Sequence, residues 1–95
     1  MAAFDKQSAA FIFGVMLQKS GDHNKAVKFL TKAAEDEPHD PKAWCNLARS
    51  VALRTEPPAD LDEAIAHYEA GIKLDATMAL PEARVDLAGL LIRQG

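Results

Sequence analysis

The feature that most constrains this 95-residue chain is that it repeats itself. Ala10, Phe13, Gly14 and Leu17 return 34 positions later as Trp44, Leu47, Ala48 and Val51. Ala26, Leu30 and Ala33 return 38 positions later as Ala64, Tyr68 and Gly71. Four extra residues therefore stand inside the second unit, within 54–60, where the Pro57-Pro58 pair forbids regular helix. Pro41, Ala43, Leu47, Ala48 and Val51 return 40 positions later as Pro81, Ala83, Leu87, Ala88 and Leu91, with the added length near 77–80. A period near 34 residues belongs to stacked helix pairs, whose units bury their apolar faces only against one another. The expected fold is an all-α helix-pair solenoid in one domain, 1–95. Repeat one covers 7–40, repeat two covers 41–78 with its four-residue insertion, and 79–95 form a half repeat.

Five helices are expected, over about 5–19, 23–37, 41–54, 61–75 and 80–94. Asp5, Asp22, Asp40 and Asp60 each precede one of the first four and have the side chain of an N-cap. Gly21 accepts a left-handed helix end, Pro38 stops the second helix, and Pro41 opens the third where its missing N–H is harmless. Asp60 and Glu63 are spaced as in a capping box. Small residues at Gly14, Ala26, Ala33, Ala48, Ala64, Gly71 and Ala88 allow close helix approach. Phe13, Leu17, Leu30, Trp44, Leu47, Tyr68, Leu87 and Leu91 are expected to fill the spaces between.

This pattern resembles the tetratricopeptide repeat. The first unit resembles it at Phe13, Gly14, Ala26, Ala33 and Pro38, with Leu17 and Leu30 where aromatics are usual. The second resembles it at Trp44, Leu47, Ala48, Ala64 and Tyr68, and departs from it at Gly71 and Ala76. The third matches at Leu87, Ala88 and Leu91. The resemblance implies a right-handed superhelix whose concave wall comes from the first helix of each pair. On that wall it would place Ser8, Phe11, Ile12, Val15 and Lys19, then Lys42, Cys45, Asn46 and Arg49, then Glu82, Val85, Asp86 and Arg93. Chaperone adaptors in the family hold a C-terminal carboxylate with a clamp of Lys, Asn and Arg. Asn46 fits that clamp, but Phe11, Val15, Glu82 and Asp86 do not, so the clamp is not expected.

The implied function is that of a protein-interaction scaffold, with a partner peptide or subunit held through Phe11, Ile12, Val15, Lys42, Asn46 and Arg49. The alternative is a structural module that self-associates. Its first helix is apolar on more than one face and its last lacks a covering helix, so Phe11, Met16, Leu87, Leu90 and Leu91 would be the oligomer contacts.

Composition narrows the field. The net charge of −3 is spread over both parts of the chain, which gives no basis for nucleic-acid binding by charge. The apolar run 11–17 is too short to cross a bilayer and has no signal-peptide flanks. One cysteine excludes an internal disulfide, and a cytoplasmic setting is expected. His23, His39 and His67 have no ligand spacing, no phosphate loop is present, and Glu63 with His67 reads as an i, i+4 pair. No catalytic residue, cofactor or metal is assigned, and an enzyme is not expected.

Overall fold

The computed structural model describes residues 8–75 and 80–94. Its five helices are α1 (Ala9–Lys19), α2 (His23–Asp36), α3 (Pro41–Leu53), α4 (Leu61–Leu74) and α5 (Pro81–Gln94). Among the described residues there is no strand. Each helix packs chiefly on its neighbours in sequence, and α1 also touches α3. That is ordered stacking rather than a bundle around one axis, and it sets the first helices of successive pairs side by side.

Local chemistry fixes the helix starts. Asp22, Asp40 and Asp60 accept from the backbone N–H of Lys25, Lys42 and Glu63, relieving amides that have no partner in the first turn. Helix α1 is capped by Ser8, whose Oγ accepts from Phe11 N at 3.0 Å, and not by Asp5, which lies outside the described residues. Only half of the capping box forms, because the Glu63 carboxylate turns to Arg54 and His67. At the other end of α1, Asp22 N donates to Leu17 O at 2.9 Å and Gly21 N to Gln18 O at 3.1 Å. This is a Schellman ending, and it requires the positive φ of 90° that Gly21 supplies.

The core is built from small residues that let backbones approach. Ala26, Ala33, Ala48 and Ala64 are buried beside Leu30, Leu47, Val51 and Tyr68. A Cβ on Gly14 would meet Leu30 Cγ at 2.6 Å, and one on Gly71 would meet Cys45 Sγ at 2.5 Å and Pro41 O at 3.1 Å. Gly71, where the family pattern has Ala, is thus demanded by the cysteine opposite. Five expected fillers differ. Phe13 is 53% exposed and leans on Phe29 with ring centroids 5.9 Å apart, and Leu91 is also exposed. Leu17, Trp44 and Leu87 are only half-buried. Ala88 also lies on an exposed face of α5. For Phe13, Leu87, Leu91 and Ala88 the helix that would cover the position in a middle unit is not among the described ones, whereas Trp44 stands on α3 between α2 and α4, with its indole N–H donating to Pro38 O at 2.9 Å.

Seven residues, 54–60, join α3 to α4, against three, 20–22, between α1 and α2. The longer connection is tied down by Asn24, whose Oδ1 accepts from Thr55 N at 2.8 Å and Glu56 N at 3.1 Å. Asn24 Nδ2 in turn donates to Thr55 Oγ1 at 3.1 Å. Between α4 and α5, buried Asp75 accepts from Leu80 N and pairs with Arg84 at 3.0 Å. Gln94 donates to Asp62, joining the far end of α5 to the start of α4. The added length expected near 77–80 falls at 76–79, outside the described residues, and at Leu80.

Candidate interaction groove

The groove begins where α1 meets α3. Gln18 Nε2 donates to Asn46 O and to Ser50 Oγ, both at 2.9 Å. His23 Nδ1 lies 3.2 Å from the same Ser50 Oγ. Ser50 is fully buried, so this polar knot replaces apolar packing between the two first helices, and its members satisfy one another. Burial, then the neighbouring Arg49 charge, lowers the His23 pKa, and Asp22 offsets part of this.

Three clefts follow along this face. The first holds about 440 Å³ between Val15, Gln18, Lys19 and His23 on one side and Asn46, Arg49 and Leu53 on the other. The second, about 300 Å³, lies between α3 and α5 and has Arg49, Leu53, Val85, Asp86, Leu90 and Arg93 in its lining. A smaller one of about 70 Å³ includes Cys45, Asn46, Arg49, Glu82 and Asp86. Arg49 belongs to all three. Tyr68 OH donates to Asp86 Oδ2 at 3.1 Å, and burial followed by the Asp86 charge pushes the phenol pKa up, keeping it a donor.

The structure brings Val15, Asn46 and Arg49 together in the first cleft. Phe11, Ile12 and Lys42 line none of the three. Phe11 packs on the core, Ile12 is half exposed on α1, and Lys42 opens α3, its carbonyl accepting from Asn46 Nδ2 at 2.8 Å. Of the oligomer contacts read from the sequence, Met16 and Leu91 are exposed, and Phe11 and Leu87 are half-buried. Leu90 is a correction: it is 5% exposed because, with Ala83 and Leu87, it forms the inward stripe of α5. Leu53, Gln18 and His23 were not singled out for the groove from the sequence. Leu53 follows Asn46 and Arg49 at i+7 and i+4, so the stripe was there to be extended. Gln18 and His23 act through a contact between units, for which no local pattern exists.

Cys45 lies beneath this surface, buried, its thiol pushed up to about 11 first by burial and then by Asp75. It is therefore protonated and sheltered at neutral pH, the opposite of a nucleophile. His67 Nε2 meets Glu63 Oε2 at 3.2 Å, and Arg54 pairs with the same carboxylate at 3.2 Å. The His67 ring also lies 5.5 Å from that of Trp44, so this chain of contacts braces α3 against α4. Among the described residues no group of three or more His, Cys, Asp or Glu could hold a metal ion. No helix among them is long and apolar enough to cross a membrane.

Residues 8–39, which span α1 and α2, match the family model of the tetratricopeptide repeat. The five helices fit a repeat of that type. No curated protein matches the chain.

Proposed function

From the tetratricopeptide repeat that this chain carries, we propose a protein-interaction scaffold that holds a partner peptide along the face shared by α1, α3 and α5. Repeats of this family generally mediate protein–protein interaction. The observation that carries the groove reading is Arg49. It is exposed, lies in the wall of all three clefts, and among the described residues takes part in no ion pair. A guanidinium held on a rigid helix with its donors uncommitted is suited to bidentate recognition. Affinity capture with wild type and Arg49→Glu, alongside mass measurement in solution, tests this. Capture should fall at least about tenfold, the cost of one strong charged contact, with mass unchanged. Equal capture by both proteins would defeat the groove reading.

A second reading, self-association, is favoured by one patch. Ile12, Phe13, Met16 and Phe29 are large, apolar and exposed on α1 and α2, with the Phe13 and Phe29 ring centroids 5.9 Å apart. Their counterparts one unit later are Asn46, Leu47, Ser50 and His67, all at least half-buried against neighbouring helices. A second copy of the chain would shield these side chains from water. Phe13→Glu should then yield a monomer where wild type shows concentration-dependent mass. A wild type that is monomeric at high concentration would remove this reading.

A further inference from the structure

We propose that the α1–α3 cleft is a pocket for an acidic side chain, and that the partner is an extended segment carrying an aliphatic residue beside that acid. The inference rests on the groove reading above and specifies its ligand. Lys19 and Arg49 are the charged side chains of this cleft, His23 lines it as well, and no carboxylate is among its lining residues. The nearest acid in sequence, Asp22, is turned to its own helix, where it accepts from Lys25 N at 3.2 Å.

The Gln18 amide protons and the Ser50 hydroxyl beside these cations are already committed. Both Gln18 Nε2 protons are used on Asn46 O and Ser50 Oγ. With Ser50 accepting from Gln18, its own O–H is available to His23 Nδ1, which leaves the imidazole proton on Nε2. The donors that remain for a ligand are thus Lys19, Arg49, a neutral imidazole N–H and the second amide proton of Asn46, whose first goes to Lys42 O. Two of these are full positive charges, which suits a carboxylate over a neutral amide and disfavours a cation. The cleft, at about 440 Å³, falls within the range of ligand pockets, roughly 300–1,000 Å³.

The neighbouring cleft gives the direction of the chain. It shares Arg49 and Leu53 with the first, so the two are continuous. Its apolar contribution includes Leu53 and Val85, both exposed, over buried Leu90. Asp86 here, and Glu82 just beyond, offset the charges of Arg49 and Arg93, so this cleft lacks the uncompensated positive charge of the first. An extended peptide therefore fits one way round, with its acid towards α1 and its aliphatic side chain over Leu53 and Val85. Charge complementarity in one cleft and apolar anchoring in the next select an acidic, aliphatic protein segment.

The test is a titration of the full chain, followed by amide NMR, with the peptide acetyl-Ser-Glu-Glu-Leu-Leu-Ser-amide. Its blocked ends carry no terminal carboxylate. Its Gln-for-Glu counterpart and inorganic phosphate are run in parallel. The acidic peptide should shift resonances of Val15, Lys19, Arg49 and Leu53, bind at least about tenfold tighter than the Gln peptide, and weaken with salt. Lys19→Gln and Arg49→Gln, both on exposed side chains, should each weaken it several-fold while the fold, seen by circular dichroism, is kept. Equal binding of the Gln peptide in the groove would overturn the acid pocket and leave the groove reading standing. Phosphate binding there as tightly as the peptide would overturn the peptide occupant. If neither peptide moves groove resonances the acid pocket fails. The groove reading fails with it only when Arg49→Glu also leaves partner capture intact.

Discussion

The first helix pair and the second carry the same pattern in opposite surroundings. Phe13 in α1 and Leu47 in α3 hold equivalent positions 34 residues apart, yet they are 53% and 2% exposed. Met16 and Ser50 make the contrast sharper: the apolar residue is 60% exposed and the hydroxyl is 0% exposed. Hydrophobicity did not decide either case. Burial followed from which helices stand beside the position, and the buried hydroxyl is tolerated because Gln18 and His23 bond to it. A repeat fixes the geometry of each unit, and the neighbours then decide which of its faces become core.

That contrast can be broken by paired substitutions. Leu47→Ala should cost about 3 kcal/mol in urea unfolding, whereas Phe13→Ala should cost less than about 1 kcal/mol. Comparable losses would mean that the outer face of α1 is covered in solution. Alanine at two glycines should act with opposite sign. At Gly71 the new methyl would press on Cys45 Sγ and Pro41 O, costing about 2 kcal/mol, with partial recovery in the Cys45→Ala background. At Gly89, which has no atom within 4 Å of a built Cβ, alanine should stabilise α5 by about 0.5–1 kcal/mol.

Ser50→Ala falls between these in size. It strips a partner from Gln18 and His23 and should cost about 1–2 kcal/mol, while Met16→Ser at the matching position of α1 should be close to neutral by the same assay. The smallest effect concerns acid. The folded-state pKa of His23 lies below its ordinary 6.5, so the unfolded chain takes up the proton first. Its stabilising share is present above about pH 6.5 and fades as pH falls through that value. Burial beside Ser50 sets it first and the Arg49 charge second, with Asp22 opposing both. His23→Gln should flatten part of the stability loss between pH 7.5 and 5.5, measured by urea unfolding at each pH. An unchanged slope would remove His23 from the account.

Much of the fold was legible because its signals are local. Asp22, Asp40 and Asp60 cap from one turn away, Gly21 needs only its own φ, and the small residues repeat at fixed intervals. The helix boundaries read from them fall within one residue of the observed ones for α2 to α5. What depended on neighbours was not legible. Phe13 and Leu91 carry core side chains at positions that are exposed, and Trp44 is only half-buried, its indole N–H bonded to Pro38 O at 2.9 Å. Its truncation should accordingly cost about 2 kcal/mol rather than the 3–5 of a fully buried tryptophan. In the groove, Phe11, Ile12, Val15, Lys42, Asn46 and Arg49 were all expected from the same family resemblance, and the first cleft takes in Val15, Asn46 and Arg49 but not Phe11, Ile12 or Lys42. Their positions depend on how α1 is rotated against α3, which the Gln18–Ser50 contact sets.

Asn24 gives the lengthened connection a mechanical role. Its bonds to Thr55 and Glu56 fasten the segment after α3 to the helix pair before it. A pull that separated the two pairs would load that asparagine before it reached the apolar seam. The extra residues thus act as a guy-rope, stiffening the stack against hinging without adding to its core.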